Sequence, residues 1–293
     1  MEYDYVVVGS GAGGGTVAAR LAESGATVAV IEAGGDPREC AGGDPARPDE
    51  NCLPCDYDVP AFHPLAAEND AMKWDFFVRH YSDADRRTLY PRAGTLGGCT
   101  AHNAMIFVYP HNRDWQYIAD LTGDSSWQPE AMRAYFQRVE RCKYRPDQWL
   151  ANVFGANPTR HGFGGWLDVE LPRVEIDTAL EVYAPLWTEF AAEFAMDRNQ
   201  LRSLRWISEA GLDPNDWRLI DENSTGLRSI PMSTSNHHRV GSRERLLDAA
   251  SRAAGRLHIE LDALATRVLF DDRNRAIGVE YRKGKDLYRA GRA

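Results

Sequence analysis

No stretch of this 293-residue chain approaches the roughly 18 consecutive apolar residues that a membrane-spanning helix requires. The opening Met-Glu-Tyr-Asp lacks both the basic start and the long apolar core of a secretory signal. The expectation is a cytoplasmic protein with no membrane span. Basic runs are missing too. Lysine and arginine number 34 against 43 aspartates and glutamates, a net charge of −9, and without clustered cations a chain cannot neutralise the phosphates of a nucleic acid. Cysteine is scarce: Cys40, Cys52, Cys55, Cys99 and Cys142 are the whole complement. A low, odd count in a large acidic chain argues against a disulfide scaffold. Cys52 and Cys55 form a C-x-x-C pair with Cys40 upstream, and His63 is the candidate fourth ligand. That spacing fits no zinc ribbon or finger, so loop cysteines without a metal are the better reading. Internal repeats and low-complexity tracts are likewise absent.

What the chain does contain begins at once. Tyr3 to Val8 is an apolar, β-branched run bounded by glycines, which predicts a buried parallel strand. Thr16 to Ser24 places Val17, Ala18, Leu21 and Ala22 on one helical face, with Gly25 as a stop. Thr27 to Ile31 is a second strand-sized run. Between the first strand and the helix, Gly9-Ser10-Gly11-Ala12-Gly13-Gly14 fits G-x-G-x-x-G. The first glycine allows the tight turn, the second lets the backbone approach a pyrophosphate, and the third lets helix pack on strand. The helix N-terminus then offers free N–H groups and a positive dipole end to the phosphates. Glu32 ends the second strand, 18 residues after Gly14, where an acid meets ribose hydroxyls. A carboxylate there repels a 2′-phosphate and so disfavours NADP. NAD and FAD both remain open on this unit, and Val30-Ile31-Glu32-Ala33-Gly34 leans toward FAD.

Further along, Gly34 to Leu65 is rich in Gly, Pro, Asp and Cys and reads as loop. Met72 to Tyr81 alternates aromatic and polar residues, as a strand would. Pro129 to Arg141 and Thr178 to Phe194 carry apolar residues at helical spacing, and Arg243 to Ala254 is a third helix. Gly162 to Leu171 reads as a turn and a strand. Leu257 to Leu261, Ala265 to Phe270 and Ala276 to Tyr281 read as short strands, the last two joined by a turn over Asp271 to Arg275. Among the histidines, His80, His111, His161, His237 and His238 read as surface or turn residues, with no natural catalytic dyad.

A second glycine motif, Leu96-Gly97-Gly98-Cys99-Thr100-Ala101-His102-Asn103-Ala104-Met105, resembles a signature of the glucose–methanol–choline (GMC) family of flavin-dependent oxidoreductases. Thr122-Gly123-Asp124-Ser125-Ser126-Trp127, the His161-Gly162 turn, Gly241-Ser242-Arg243 and the strands near Leu264 and Gly278 agree in order with choline-dehydrogenase-like members. The resemblance implies an α/β class (α+β overall): a Rossmann-type FAD domain plus a substrate domain of antiparallel sheet and helices. It divides the chain into 1–160 for the first part of the FAD domain, 161–240 for the start of the substrate domain, and 241–293 for the return. It implies oxidation of an alcohol CH–OH group by hydride transfer to the flavin, with a small-molecule alcohol and an electron acceptor as partners. By position, Gly9, Ser10, Gly11, Ala12 and Gly14 would hold the pyrophosphate, with Glu32 and Ala33 at the ribose. Arg92, Leu96, Gly97, Gly98, Asn103 and Met105 would line the flavin, and the Ala265 backbone would meet the adenine. His102 stands where some members attach the flavin covalently; a neutral imidazole is a suitable nucleophile. Gly94 stands where the family often has a basic residue, and Tyr109-Pro110 replaces a commoner Arg-Gly pair.

Family members are much longer, and their catalytic base is a histidine near the C-terminus. By that resemblance no catalytic residue falls within this chain and the base is expected beyond Ala293, so the chain reads as an N-terminal portion. A partner carrying the remaining half, and poor solubility without it, are the corresponding expectations. Two other readings stand beside this one: a non-catalytic FAD-binding subunit, and an NAD-dependent dehydrogenase of simple Rossmann type.

Overall fold

The computed structural model describes residues 2–38, 53–83, 85–145, 148–172, 213–224, 228–285 and 287–288. Cys40, Cys52, the Cys55 side chain and the helix expected over 178–194 lie outside the described residues. The chain forms two compact units, Met1–Met105 with Thr234–Ala293, and Ile106–Ser233. No helix among the described residues is long and apolar enough to cross a membrane.

In the first unit the predicted βαβ element forms. Strands Tyr5–Val8, Val28–Ile31 and Leu257–Glu260 make a parallel sheet in that spatial order, with Tyr5 opposite Val28 and Val28 opposite Leu257. Helix Ala12–Glu23 buries Gly15, Ala18, Ala19 and Ala22. These small residues let helix Ser242–Arg252 approach closely, and Leu246, Ala249 and Ala253 join Val28, Val30, Leu96 and Leu257 in one core cluster. Each fully buried Val or Leu there contributes on the order of 1.5–3 kcal/mol. The reading of the first strand as buried is corrected. It begins at Tyr5 and forms an edge of the described sheet, and Tyr5, Val6 and Val8 are 50%, 39% and 54% exposed. Its apolar run is the signature of a strand flanked on both sides, whereas among the described residues Val28–Ile31 is the strand of this sheet with neighbours on both sides, and it is wholly buried.

The loop expected over Gly34 to Leu65 is also corrected in part. Helix Leu53–Asp58, a 3-10 turn Pro60–Phe62 and helix His63–Glu68 occupy its end. Pro60 and Pro64 fall in first turns, where a missing N–H costs nothing. Asn69 Nδ2 donates to Asp56 Oδ2 at 2.9 Å, and Tyr57, Ala66, Met72 and Ala101 form a second small cluster. The Met72 to Tyr81 strand is reduced to Phe77–Val78, paired with Thr88–Leu89, and a bridge from Lys73 to Ala93. Strands Ala263–Phe270 and Ala276–Lys283 form the expected antiparallel hairpin, with an irregularity between Ala265 and Arg267. Asp271 accepts from the backbone N–H groups of Arg273 and Arg275 and so pins its turn.

The second unit carries helices Asn112–Thr122, Pro129–Val139, Gln148–Phe154 and Trp217–Asp221. The helix expected to reach Arg141 stops at Val139 because Glu140–Cys142 pairs in parallel with Leu167–Val169. Antiparallel bridges join Met232 to Ile106 and to Glu170. Arg133 is wholly buried. Its guanidinium donates to the carbonyls of Thr159, Arg160 and Asn215. The reading of His161 as a surface or turn histidine is wrong as to burial. It is 1% exposed, with Nδ1 2.9 Å from Glu140 Oε1 and Nε2 2.9 Å from Asp213 Oδ2. His80, His111, His237 and His238 are exposed, in agreement with the sequence reading.

Candidate cofactor site

The first strand ends at Gly9, whose φ of +87° lies in the left-handed region that glycine enters without penalty. The chain then turns through Ser10 and Gly11 into helix Ala12–Glu23. No side chain caps that helix and no acid lies in its first turn, so its leading N–H groups and positive dipole end stay available. The glycines differ in what surrounds them. A Cβ on Gly14 would lie 2.1 Å from the Gly9 carbonyl oxygen, so Gly14 is where helix seats on strand. A Cβ on Gly11 would meet nothing nearer than Gly98 Cα at 3.9 Å, and one on Gly13 nothing within 4 Å. The loop is therefore closed toward the sheet and open at Gly11 and Gly13, as a phosphate cradle requires.

Glu32 is 5% exposed and holds this loop in shape. Its Oε2 accepts from the Ser10 N–H at 2.8 Å and the Ser10 hydroxyl at 2.6 Å. Oε1 accepts from Gly34 N at 3.3 Å. Burial raises the Glu32 carboxyl above its ordinary value, against the opposing hydrogen bonds from Ser10 and Gly34. Ala33 follows, half-buried.

The second glycine motif docks on the first. Ser10 Oγ accepts from Gly97 N at 2.9 Å, and a Cβ on Gly98 would come within 2.7 Å of Gly11 Cα. Gly97 and Gly98 have φ of +100° and +52°, and Leu96 anchors the turn in the core. A 3-10 turn, Gly98–Ala101, leads to His102. His102 Nε2 is buried, with no hydrogen-bond partner among the described residues. Burial lowers its basicity, as do the charges of Arg239 and Arg92, against a backbone hydrogen bond that favours the charged ring. Asn103 Oδ1 accepts from Met105 N at 3.2 Å and helps hold Met105 at a φ of +59°. The Arg92 guanidinium stacks on the Tyr90 ring, 3.8 Å from its centroid. Ala265 lies at the hairpin irregularity, opposite Tyr281. Gly94 is explained by packing: a Cβ there would lie 2.7 Å from the Tyr288 ring.

Sequence reasoning missed the residues that brace these turns. Ser242 Oγ donates to the carbonyls of Ser10 at 2.8 Å and Gly11 at 3.0 Å. Arg243 grips Asp36 with two hydrogen bonds of 2.6 and 2.7 Å. Tyr57 donates to the Glu244 carboxylate at 2.9 Å. Only Gly241-Ser242-Arg243 carried any signal, and it signalled resemblance rather than contact. A separate cavity of about 270 Å³ in the second unit, lined by Tyr109, His111, Asn223 and Arg228 among others, contains none of the expected site residues.

A family model described as GMC oxidoreductase matches residues 3–290. Dehydrogenase pyvF of Aspergillus violaceofuscus is 30% identical over 97% of this chain and 41% of its own length. An oxygen-dependent choline dehydrogenase of Pectobacterium atrosepticum is 28% identical over 99% of this chain and 44% of its own length. Among solved structures, an FAD-dependent oxidoreductase from Chaetomium thermophilum superposes with a TM-score of 0.68 at 22% identity, covering 96% of this chain and 42% of that one. The chain thus spans less than half the length of these relatives.

Proposed function

The chain belongs to the GMC oxidoreductase family, and from that membership we propose that it binds FAD and serves the oxidation of an alcohol CH–OH group. The observation that carries this reading is the seating of the Gly97-Gly98 turn on the Gly11 turn, with a buried, partnerless imidazole nitrogen four residues further on. A simple NAD fold has no use for a second glycine turn at that place. Bound FAD supplies the two-electron acceptor.

The chain's own residues bind and orient it. Gly9, Ser10, Gly11, Ala12 and Gly14 form the pyrophosphate cradle. Glu32 takes the ribose hydroxyls through Oε1, because Ser10 already engages Oε2, and Ala33 lies beside it. Arg92, Leu96, Gly97, Gly98, His102, Asn103 and Met105 would border the isoalloxazine, where the His102 imidazole could serve as the nucleophile of a covalent tie. The Ala265 backbone receives the adenine. The discontinuous first unit is thus the cofactor domain.

The test is flavin absorbance of the purified chain, followed by acid denaturation and addition of candidate alcohols with an artificial electron acceptor. Bound FAD that bleaches on adding an alcohol supports the full reading. FAD that binds but is never reduced supports a binding-only role. Colour that pellets with the protein assigns a covalent tie to His102, and colour that stays in solution assigns a non-covalent contact. A chain that binds NAD and not FAD overturns the reading.

A further inference from the structure

The strongest unexplained group in the first unit is Arg239. Strands Thr234–Ser235 and His238–Arg239 pair antiparallel through a two-residue turn, Asn236-His237, with φ of +50° and +65°. Left-handed residues at both central positions match the twist of a tight hairpin. Alternation along the strand then sends His238 outward and Arg239 inward, and Arg239 is 1% exposed.

Its guanidinium is satisfied by backbone and amide oxygens rather than by an acid. Nε donates to the Tyr57 carbonyl at 2.7 Å. Nη1 donates to the carbonyls of Thr100 at 3.0 Å and Asn103 at 2.8 Å, and to Asn103 Oδ1 at 2.7 Å. No carboxylate among the described residues forms an ion pair with it, and Nη2 is buried without a partner. Glu244 and Asp58 act on it only at longer range, and a buried cation without a contacting carboxylate is costly to keep. The same Asn103 Oδ1 accepts from Met105 N, so Arg239 locks the amide that holds Met105 in its left-handed conformation. Left-handed backbone at a methionine persists only where its surroundings determine it.

We propose that Arg239 is the positioning residue of the His102 turn: its fork fixes Thr100, Asn103 and Met105, and its buried charge with the spare Nη2 donor favours an electron-rich acceptor beside His102. Burial and the Arg239 and Arg92 charges act together to lower the basicity of that imidazole. The assignment of the acceptor to the flavin rests on the FAD reading above; the effect on the turn and on His102 does not.

The test uses the full chain with Arg239→Lys and Arg239→Met, each first checked by circular dichroism and thermal melting. His102 is titrated by NMR without added cofactor. The Met variant is expected to raise its titration midpoint toward the ordinary histidine value, and the Lys variant, which keeps the charge, to leave it depressed. With FAD, both variants are expected to bind about tenfold more weakly, from loss of a charge-assisted fork. The flavin reduction potential should fall in the Met variant and hold in the Lys variant. A folded Met variant whose His102 midpoint, FAD affinity and potential match the unsubstituted protein overturns the proposal. If the Met variant does not fold, an unsubstituted His102 midpoint at or above the ordinary value overturns it. If no form binds FAD, the FAD reading fails while the His102 titration still decides the role of Arg239.

Discussion

Gly11 and Gly14 lie three residues apart in one turn and face opposite constraints. Gly14→Ala would drive a methyl group to 2.1 Å from a backbone oxygen. It should cost about 1–3 kcal/mol or more, read as a lowered urea midpoint. Gly11→Ala meets only a 3.9 Å contact at a φ of −63°, so its melting temperature should hold while FAD titration shows lost affinity. Equal FAD binding by Gly11→Ala and the unsubstituted protein would remove the pyrophosphate from this turn. The role of Gly14 was legible in the hexapeptide, because helix-on-strand packing is what its last glycine is for. The grip of Ser10 on Glu32 was not, since nothing in a serine shows which of its neighbours it will bond. His161 was misread for a similar reason. Its partners Glu140 and Asp213 lie 21 and 52 residues away in sequence. Desolvation alone would lower its pKa, but the hydrogen bonds its ring makes to Asp213, Cys142 and Glu140 outweigh it and raise it to about 12. A raised histidine pKa contributes stability that is complete below its unfolded value near 6.5 and is lost as pH climbs toward 12. His161→Gln, which removes the imidazolium shared by two buried carboxylates and leaves Asp213 with Arg145 and Glu140 with the Gly162 N–H, should cost roughly 3–5 kcal/mol near pH 6. The gap in urea stability between the two proteins should narrow by pH 9; a constant gap would show that His161 is not held protonated.

Helix Ser242–Arg252 acts on the site through its first turn, not its length. Its Ser242 hydroxyl reaches the carbonyls of Ser10 and Gly11, and a Cβ on Gly15 would sit 1.8 Å from that same hydroxyl. Ser242→Ala should cost about 1 kcal/mol in thermal denaturation, with a weaker FAD affinity because the phosphate turn loses its brace. Unchanged affinity would mean that Glu32 and the Gly97-Gly98 turn hold it without Ser242. Periodicity made this helix, the βαβ unit and the terminal hairpin readable, because each is built from neighbours in sequence. The order of strands was not readable. Tyr5–Val8 and Val28–Ile31 look alike as apolar runs, and only the arrival of Leu257–Glu260 beside the second decides which of them is buried. The helices between Leu53 and Glu68 were hidden by a composition of Pro, Cys and Asp that ordinarily marks loops.

At the scale of the whole molecule, the described surface carries more apolar side chains than an isolated chain conceals well. Val8, Phe270 and Ile277 are 54%, 59% and 65% exposed, and Tyr5–Val8 is an edge strand among the described residues. Concentration-dependent self-association is expected, measured as a rising weight-average mass in sedimentation equilibrium. A single monomeric mass across the concentration range would show that these surfaces are benign. The family was legible from two glycine turns and their order along the chain. The division into units was harder to read, because one of them is assembled from two distant stretches of sequence.

That discontinuity has a consequence for synthesis. The central strand ends at Ile31, but the strand that covers its second side begins at Leu257, more than two hundred residues later. At translation rates of about 5–20 residues per second, the ribosome needs roughly ten to forty seconds to deliver it. Throughout that interval the nascent βαβ unit has one open flank, while Ile106–Ser233 emerges whole in between. The inserted unit can therefore finish folding first, and the nucleotide fold, though begun earliest, closes last.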